Sequence, residues 1–204
     1  MMSLGFEDDE ENDAEPEVME DGFEPVIPKT PKAKAGDIYQ LGNHRLMCGD
    51  STKDEDVRQL MNGKLADLVV TDPPYNVDFG QSKDHPSHVC CKILNDKQTP
   101  EQWDEFCKKI SQQLKDFSNG AVYICMASGP DGMRFGWLLT LTGWHWSATL
   151  IWLKNALVLT PADYQRKYEP IFYGWQEGKE HKHPPDRTQT EVWSVNRPST
   201  TTVS

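Results

Sequence analysis

No stretch of the sequence approaches the roughly 20 consecutive apolar residues that a membrane-spanning helix needs, so no membrane partner is expected. A secretory signal peptide is also lacking. Cysteine is sparse and odd in number: Cys48, Cys90, Cys91, Cys107 and Cys125. That set argues against a disulfide framework and for a reducing, cytoplasmic setting. A bulk basic excess is missing too, since the net charge is −11. Such a balance would be odd in a nucleic-acid binder if the charge were evenly spread, but it is not. Residues 1–24 hold eleven acidic residues and no Lys or Arg. Removing those from the 32 acidic residues leaves 21, matched by 21 Lys and Arg, so the rest of the chain is formally neutral.

What is present divides the chain in two. Residues 1–35 begin acidic and end in Pro25, Pro28 and Pro31 interleaved with Lys29, Lys32 and Lys34, the composition of a disordered tail and linker. A solubilising role, mimicry of nucleic-acid charge and partner binding all suit it. Residues 36–204 are enough for one domain with a real core and hardly for two.

Within that domain, 37–41 and 44–48 are short extended runs joined by the turn signal Gly42-Asn43. A helix with Val57, Leu60 and Met61 on one face comes next, capped by Ser51 or Thr52 and stopped at Asn62-Gly63. Ala66–Val70 reads as a buried parallel strand. Residues 76–98 form a long polar loop of the functional or disordered kind. Thr99-Pro100-Glu101 opens a helix whose apolar face is Trp103, Phe106, Cys107, Ile110, Leu114 and Phe117. Residues 121–126 read as a buried strand. A second amphipathic helix, with Met133, Phe135, Trp137, Leu138 and Leu141 as its apolar residues, ends at Gly143. Strands at 144–153 and 169–175 complete the series. The alternation predicts an α/β sheet with flanking helices and at least one antiparallel strand near the C-terminus.

The central stretch is Thr71-Asp72-Pro73-Pro74-Tyr75-Asn76-Val77. The preceding strand must stop at the proline pair, which lacks ladder donors. A carboxylate, two rigid residues and a ring are thereby fixed just past the carboxyl end of a strand, where open α/β sheets place ligands. With this motif the sequence resembles the amino-directed (N6-adenine or N4-cytosine) DNA methyltransferases of the permuted β type. The likeness extends to His44–Ser51, Ile93-Leu94-Asn95-Asp96, Tyr168–Trp175 and Asp186–Trp193, and covers residues 36–199. Phage and bacterial methylases with a partitioning-protein-like domain upstream are the most similar.

The resemblance implies a partial Rossmann-like methyltransferase sheet, S-adenosylmethionine as cofactor and DNA as partner, with N6 of adenine favoured as acceptor. An exocyclic amine attacks only when pulled toward tetrahedral geometry. The Asp72 carboxylate and the Pro73 carbonyl supply two acceptors for its hydrogens, and Pro73-Pro74 holds them stiffly. Asp72 also offsets the charge that develops on the amine. Tyr75 offers a face to an extruded base. Asn76 either holds the loop or touches the base edge. No cysteine nucleophile accompanies the motif, consistent with amine rather than ring-carbon methylation. Asp50 and Asp72 are the family-implied donor contacts, the lesser alternative for Asp50 being a helix cap.

The family's other elements, a His-Pro-Thr/Lys-Pro segment and an Asp-Pro-Phe-x-Gly-x-Gly donor loop, do not occur in these 204 residues. Gly129, Gly132 and Gly136 fit the start of a helix better than a donor loop. In the family the corresponding strands lie between the strand ending at Asp50 and the strand ending at Asp72. Two unpaired sheet edges are therefore expected, with weak or no donor binding by this chain alone. A second chain or a homodimer would supply the remainder.

His85, His88, Cys90 and Cys91 lie close together, but adjacent cysteines point apart, so no metal site is expected. Lys179, His181, Lys182, His183 and Arg187 suit either phosphate contact or a solvated loop, and Lys154 also suits the DNA side. Three readings are open: part of an amine-directed DNA methyltransferase in a bacterial cell or phage-infected host, an inactive truncated methylase that binds DNA or a partner, and an acidic-tail interaction protein.

Overall fold

Thr99 starts the helix on which the domain is built. Its hydroxyl accepts the Gln102 N–H, and the Gln102 side chain accepts the Thr99 N–H in return, a complete capping box with proline in the first turn. The computed structural model describes residues 30–78, 93–158 (backbone only at 156–158), 163–183, 186 and 188–195. The tail expected at 1–35 and the His85–Cys91 cluster lie wholly or mostly outside them.

In chain order the elements are β1 (Ile38–Leu41), β2 (His44–Met47), α1 (Asp54–Met61), β3 (Ala66–Thr71), α2 (Pro100–Phe117), β4 (Ser118–Cys125), α3 (Pro130–Leu141), β5 (Trp144–Val158), β6 (Arg166–Gln176) and β7 (Val192–Ser194). β1 and β2 form a separate antiparallel hairpin around Gly42, whose φ is 60°. The main sheet has the order β3-β4-β6-β5-β7. β3 pairs parallel with β4, and β7 with β5, while β6 runs antiparallel to both its neighbours. Four strands thus point one way and β6 alone runs against them.

All six residues of the expected α2 face are buried, and five of them, Trp103, Phe106, Cys107, Ile110 and Leu114, pack with Val122, Ile124, Phe135, Leu139 and Phe172 on one side of the sheet. Trp103 stacks on Phe106 at 5.3 Å and meets Phe135 edge-on at 6.0 Å. Three expectations need correction. The start of α1 is Lys53, with no side-chain cap, because Thr52 is tied to Asp50 instead. On α3 the inward residues are Gly132, Phe135, Gly136 and Leu139, whereas Met133, Trp137 and Leu141 are exposed. The glycines allow the close approach: a Cβ at Gly132 would lie 2.0 Å from the Ala127 carbonyl oxygen, and one at Gly136 would lie 2.6 Å from the Trp146 ring. β3 is not a buried strand, since it sits at the sheet edge with Leu68 54% and Val70 72% exposed.

Candidate active site

Three stiff residues begin the site. Asp72, Pro73 and Pro74 leave the carboxyl end of β3, and with Tyr75, Val77, Ile93 and Asp96 they line a cavity of about 290 Å³. Each proline ring fixes its own φ. Each residue before a proline is confined to extended conformations, which applies to both Asp72 and Pro73. All peptide bonds among the described residues are trans.

The chain then turns sharply. Asn76 has φ 60° and Asp78 φ 53°, the left-handed region that asparagine and aspartate tolerate best. The turn is held from residues 95–98. Asp96 Oδ1 accepts the N–H groups of Tyr75 (3.1 Å) and Val77 (3.2 Å), and the Asp96 carbonyl accepts the Asp78 N–H (2.7 Å). Asn76 Oδ1 accepts the Gln98 N–H at 2.7 Å, and Lys97 pairs with Asp78 at 2.8 Å. Of the two roles open to Asn76, holding the loop is the one its side-chain oxygen performs.

The phenol of Tyr75 points into the domain, with its oxygen buried and no well-formed hydrogen bond to it among the described residues. Burial, followed by the nearby Asp72 carboxylate, pushes its pKa well above the ordinary range. Asp72 is close enough to act on the phenol electrostatically while the bond geometry stays poor. Burial and then Asp72 and Glu169 raise the Cys125 thiol at the end of β4 in the same way. That thiol is a neutral neighbour of the site, not a nucleophile. Glu169 belongs to the start of β6 and pairs with Lys154 of β5, both partly buried, and Lys154 Nζ also lies 5.5 Å from the Trp152 ring centroid. Asp72, Tyr75, Cys125, Glu169 and Lys154 therefore gather at one end of the sheet. Lys154 meets the site with its charge already matched by a carboxylate.

The other expected site residues lie elsewhere. Asp50 accepts the N–H (2.9 Å) and the hydroxyl (2.7 Å) of Thr52, and the hydroxyl bond chiefly lowers its pKa. It lines a separate cavity of about 110 Å³ with Met47, Gly49, Ser51 and Asp56. Asp50 therefore closes a local turn on Thr52 and is not the cap of α1, which starts at Lys53 without a side-chain cap. Lys182 lies 3.7 Å from Asp67. Asp67 stands at the start of β3, about 16 Å along the strand from Asp72. His181, stacked on Trp175 at 3.5 Å, shares that opposite end. Arg187 lies outside the described residues.

Sequence reasoning assigned no role to Asp96 or Glu169. The left-handed asparagines Asn76 and Asn95 that flank Asp96's contacts were the available signal. Donor fit is one-sided. Asp72 lines a cavity at the strand end, but Gly132 and Gly136 are used up in packing and form no open cradle for a donor.

Among known proteins, a solved structure titled as the M1.HpyAVI–SAM complex is 14% identical with a TM-score of 0.46, over 70% of this chain and 60% of that one. A second, of M1.HpyAVI, is 15% identical with a TM-score of 0.45, over 70% and 61%. The chain thus spans about 60% of the length of these structures. No curated protein matches it. The sequence model of a family described as DNA methylase matches residues 66–202, two thirds of the chain. With the Asp-Pro-Pro-Tyr loop at the carboxyl end of β3, the chain belongs to the DNA methylase family.

Proposed function

We propose that this chain carries the base-accepting half of an amine-directed DNA methyltransferase, with N6 of adenine as the favoured acceptor. The observation that carries the reading is the cavity lined by Asp72, Pro73, Pro74 and Tyr75, held rigid at the end of a strand. When bound, S-adenosylmethionine supplies a methyl group on a sulfonium. The chain's own residues receive the acceptor. The Asp72 carboxylate and Pro73 carbonyl accept the two amine hydrogens and draw the nitrogen out of conjugation. As positive charge grows on that nitrogen, the Asp72 carboxylate already in place stabilises it. The Tyr75 ring takes the extruded base by stacking, worth about 1–3 kcal/mol.

The donor-binding half is supplied outside these 204 residues, by a second chain or another segment, and adds along the open edge of β3. Leu68 and Val70 support this: an apolar edge strand of a parallel pair is unsuited to solvent. DNA and the donor are both found in the cytoplasm of a bacterium or phage-infected host. A non-catalytic DNA- or partner-binding module is the second reading, favoured by the placement of Asp50 and Asp72 in different cavities.

Incubating the chain with duplex DNA and methyl-labelled donor, alone and with a donor-binding methylase fragment, separates the two. Transfer is expected only in the mixture, and Asp72→Ala should lower it by about 10²–10³-fold. No transfer in the mixture, or undiminished transfer by Asp72→Ala, refutes the enzymatic reading. Digestion of the labelled DNA to nucleosides identifies the base.

A further inference from the structure

Asp96 is the one buried carboxylate among the described residues, 3% exposed, and it lies outside the motif that names the family. Its Oδ1 gathers the N–H groups of Tyr75 and Val77, two alternate donors that converge because Asn76 between them is left-handed. The consequence depends on which torsions of the loop remain soft. From Asp72 to Pro74 both proline φ angles are set by rings, and the ψ angles of Asp72 and Pro73 are confined by the proline after each. The first torsion left free is ψ of Pro74. It sets the plane of the Pro74–Tyr75 peptide, and that plane is fixed when the Tyr75 N–H bonds to Asp96. In a trans peptide the carbonyl lies opposite the N–H, so the Pro74 carbonyl is turned away from Asp96.

We infer that Asp96 is a positioning residue: it locks the first free torsion beyond the Asp72–Pro73 acceptors, and so sets where the Tyr75 backbone that carries the ring stands relative to them. The role rests on the methyltransferase reading, but its mechanical part can be measured without catalysis. The Asn76–Gln98 bond and the Lys97–Asp78 pair hold the same turn from its far side.

The test compares Asp96→Leu, which keeps the volume and removes both acceptors, with Asp96→Asn, which keeps one side-chain oxygen. Amide exchange is read by NMR on the full chain, and kcat and KM are read with the donor-binding fragment present. In Asp96→Leu the Tyr75 and Val77 amides should exchange at least about tenfold faster, with Val122 and Ile124 unchanged. Its kcat should fall about 10²-fold with KM for DNA held within about threefold. Asp96→Asn should restore both readings to near wild type. If Asp96→Leu loses protection at Val122, Asp96→Ser, whose hydroxyl is too short to reach, takes its place with the same expectations. Wild-type exchange at Tyr75 and Val77 in the variant lacking the acceptors overturns the inference, as does failure of Asp96→Asn to rescue. Absence of transfer by the wild-type mixture overturns the methyltransferase reading instead, and the exchange comparison still decides whether Asp96 holds the loop.

Discussion

Replacing Gly120 with alanine tests how the sheet places Asp72. β3 and β4 are out of step at their start: Ala66 faces Ser118, but Leu68 already faces Ala121, so Asn119 and Gly120 oppose Asp67 alone. At that bulge a Cβ on Gly120 would lie 1.8 Å from the Asp67 carbonyl oxygen. The ordinary carbon–oxygen approach is about 3.3 Å, so the strands must part by about 1.5 Å. The obstacle is backbone, which cannot swing aside as a side chain would. Forcing in the methyl group should cost about 1–3 kcal/mol. For a chain of this size 2 kcal/mol corresponds to a fall of about 4–8 °C in melting temperature. Asp72 lies five residues beyond Asp67 on the same strand, and a misplacement of about 1 Å is enough to slow a positioned reaction about 10²-fold. Melting followed by circular dichroism, with the methyl-transfer mixture alongside, reads both effects. Gly129→Ser is the control, because a Cβ there meets nothing within 4 Å and serine suits a helix N-cap. A Gly120→Ala variant that melts with the wild type would refute the strand-parting argument.

Ser111 bridges buried partners, with its hydroxyl 2.6 Å from Thr142 Oγ1 and 3.0 Å from Trp144 Nε1. Ser111→Ala leaves the indole without its acceptor and should cost about 1–3 kcal/mol in denaturant unfolding, whereas a cost below about 0.5 kcal/mol would show that the bridge is unimportant. Burial pushes the Cys107 thiol up to about 12. Its folded value lies above its unfolded one, so no stability is lost below the unfolded pKa. From about pH 9 upward only the unfolded chain gives up the proton, and stability falls by up to about 1.4 kcal/mol per pH unit until about 12. Tyr75 and Tyr173, both raised, add to the decline at higher pH. Cys107→Ala should flatten the part of the pH–stability curve between 9 and 10, and an unchanged slope would refute the assignment.

The reading from sequence succeeded where the determining interactions are local. α2 was legible residue by residue because the cap, the first-turn proline and the 3.6-residue spacing all act within one helix. The rigidity of Asp72–Pro74 is equally local. On α3 the apolar residues do not by themselves mark the buried face, because close packing there runs through Gly132 and Gly136, and small residues leave no mark in a hydrophobic pattern. The apolar run of β3 says that the strand prefers burial, not that a neighbour is present on each side. The role of Asp96, visible in sequence only as part of a family-like segment, could not be read because its partners lie 19 and 21 residues away across a polar loop, where no periodicity links them.

The placement of the basic residues is a consequence of strand direction. β3, β4, β5 and β7 point toward the Asp72 end, so the segments leaving their carboxyl termini gather there. β6 alone runs the other way, so its first residues, including Glu169, meet the site, and the chain beyond Gln176 emerges at the far end. Lys182 and His181 are therefore carried to Asp67 and Gly120, although they lie only 13 and 12 residues from Glu169 in the chain. Composition marks 179–187 as basic but is silent on the parity of the strands before it. At the Asp72 end Lys154 is already paired with Glu169, so an anion brought there would have to displace that carboxylate to reach the ammonium.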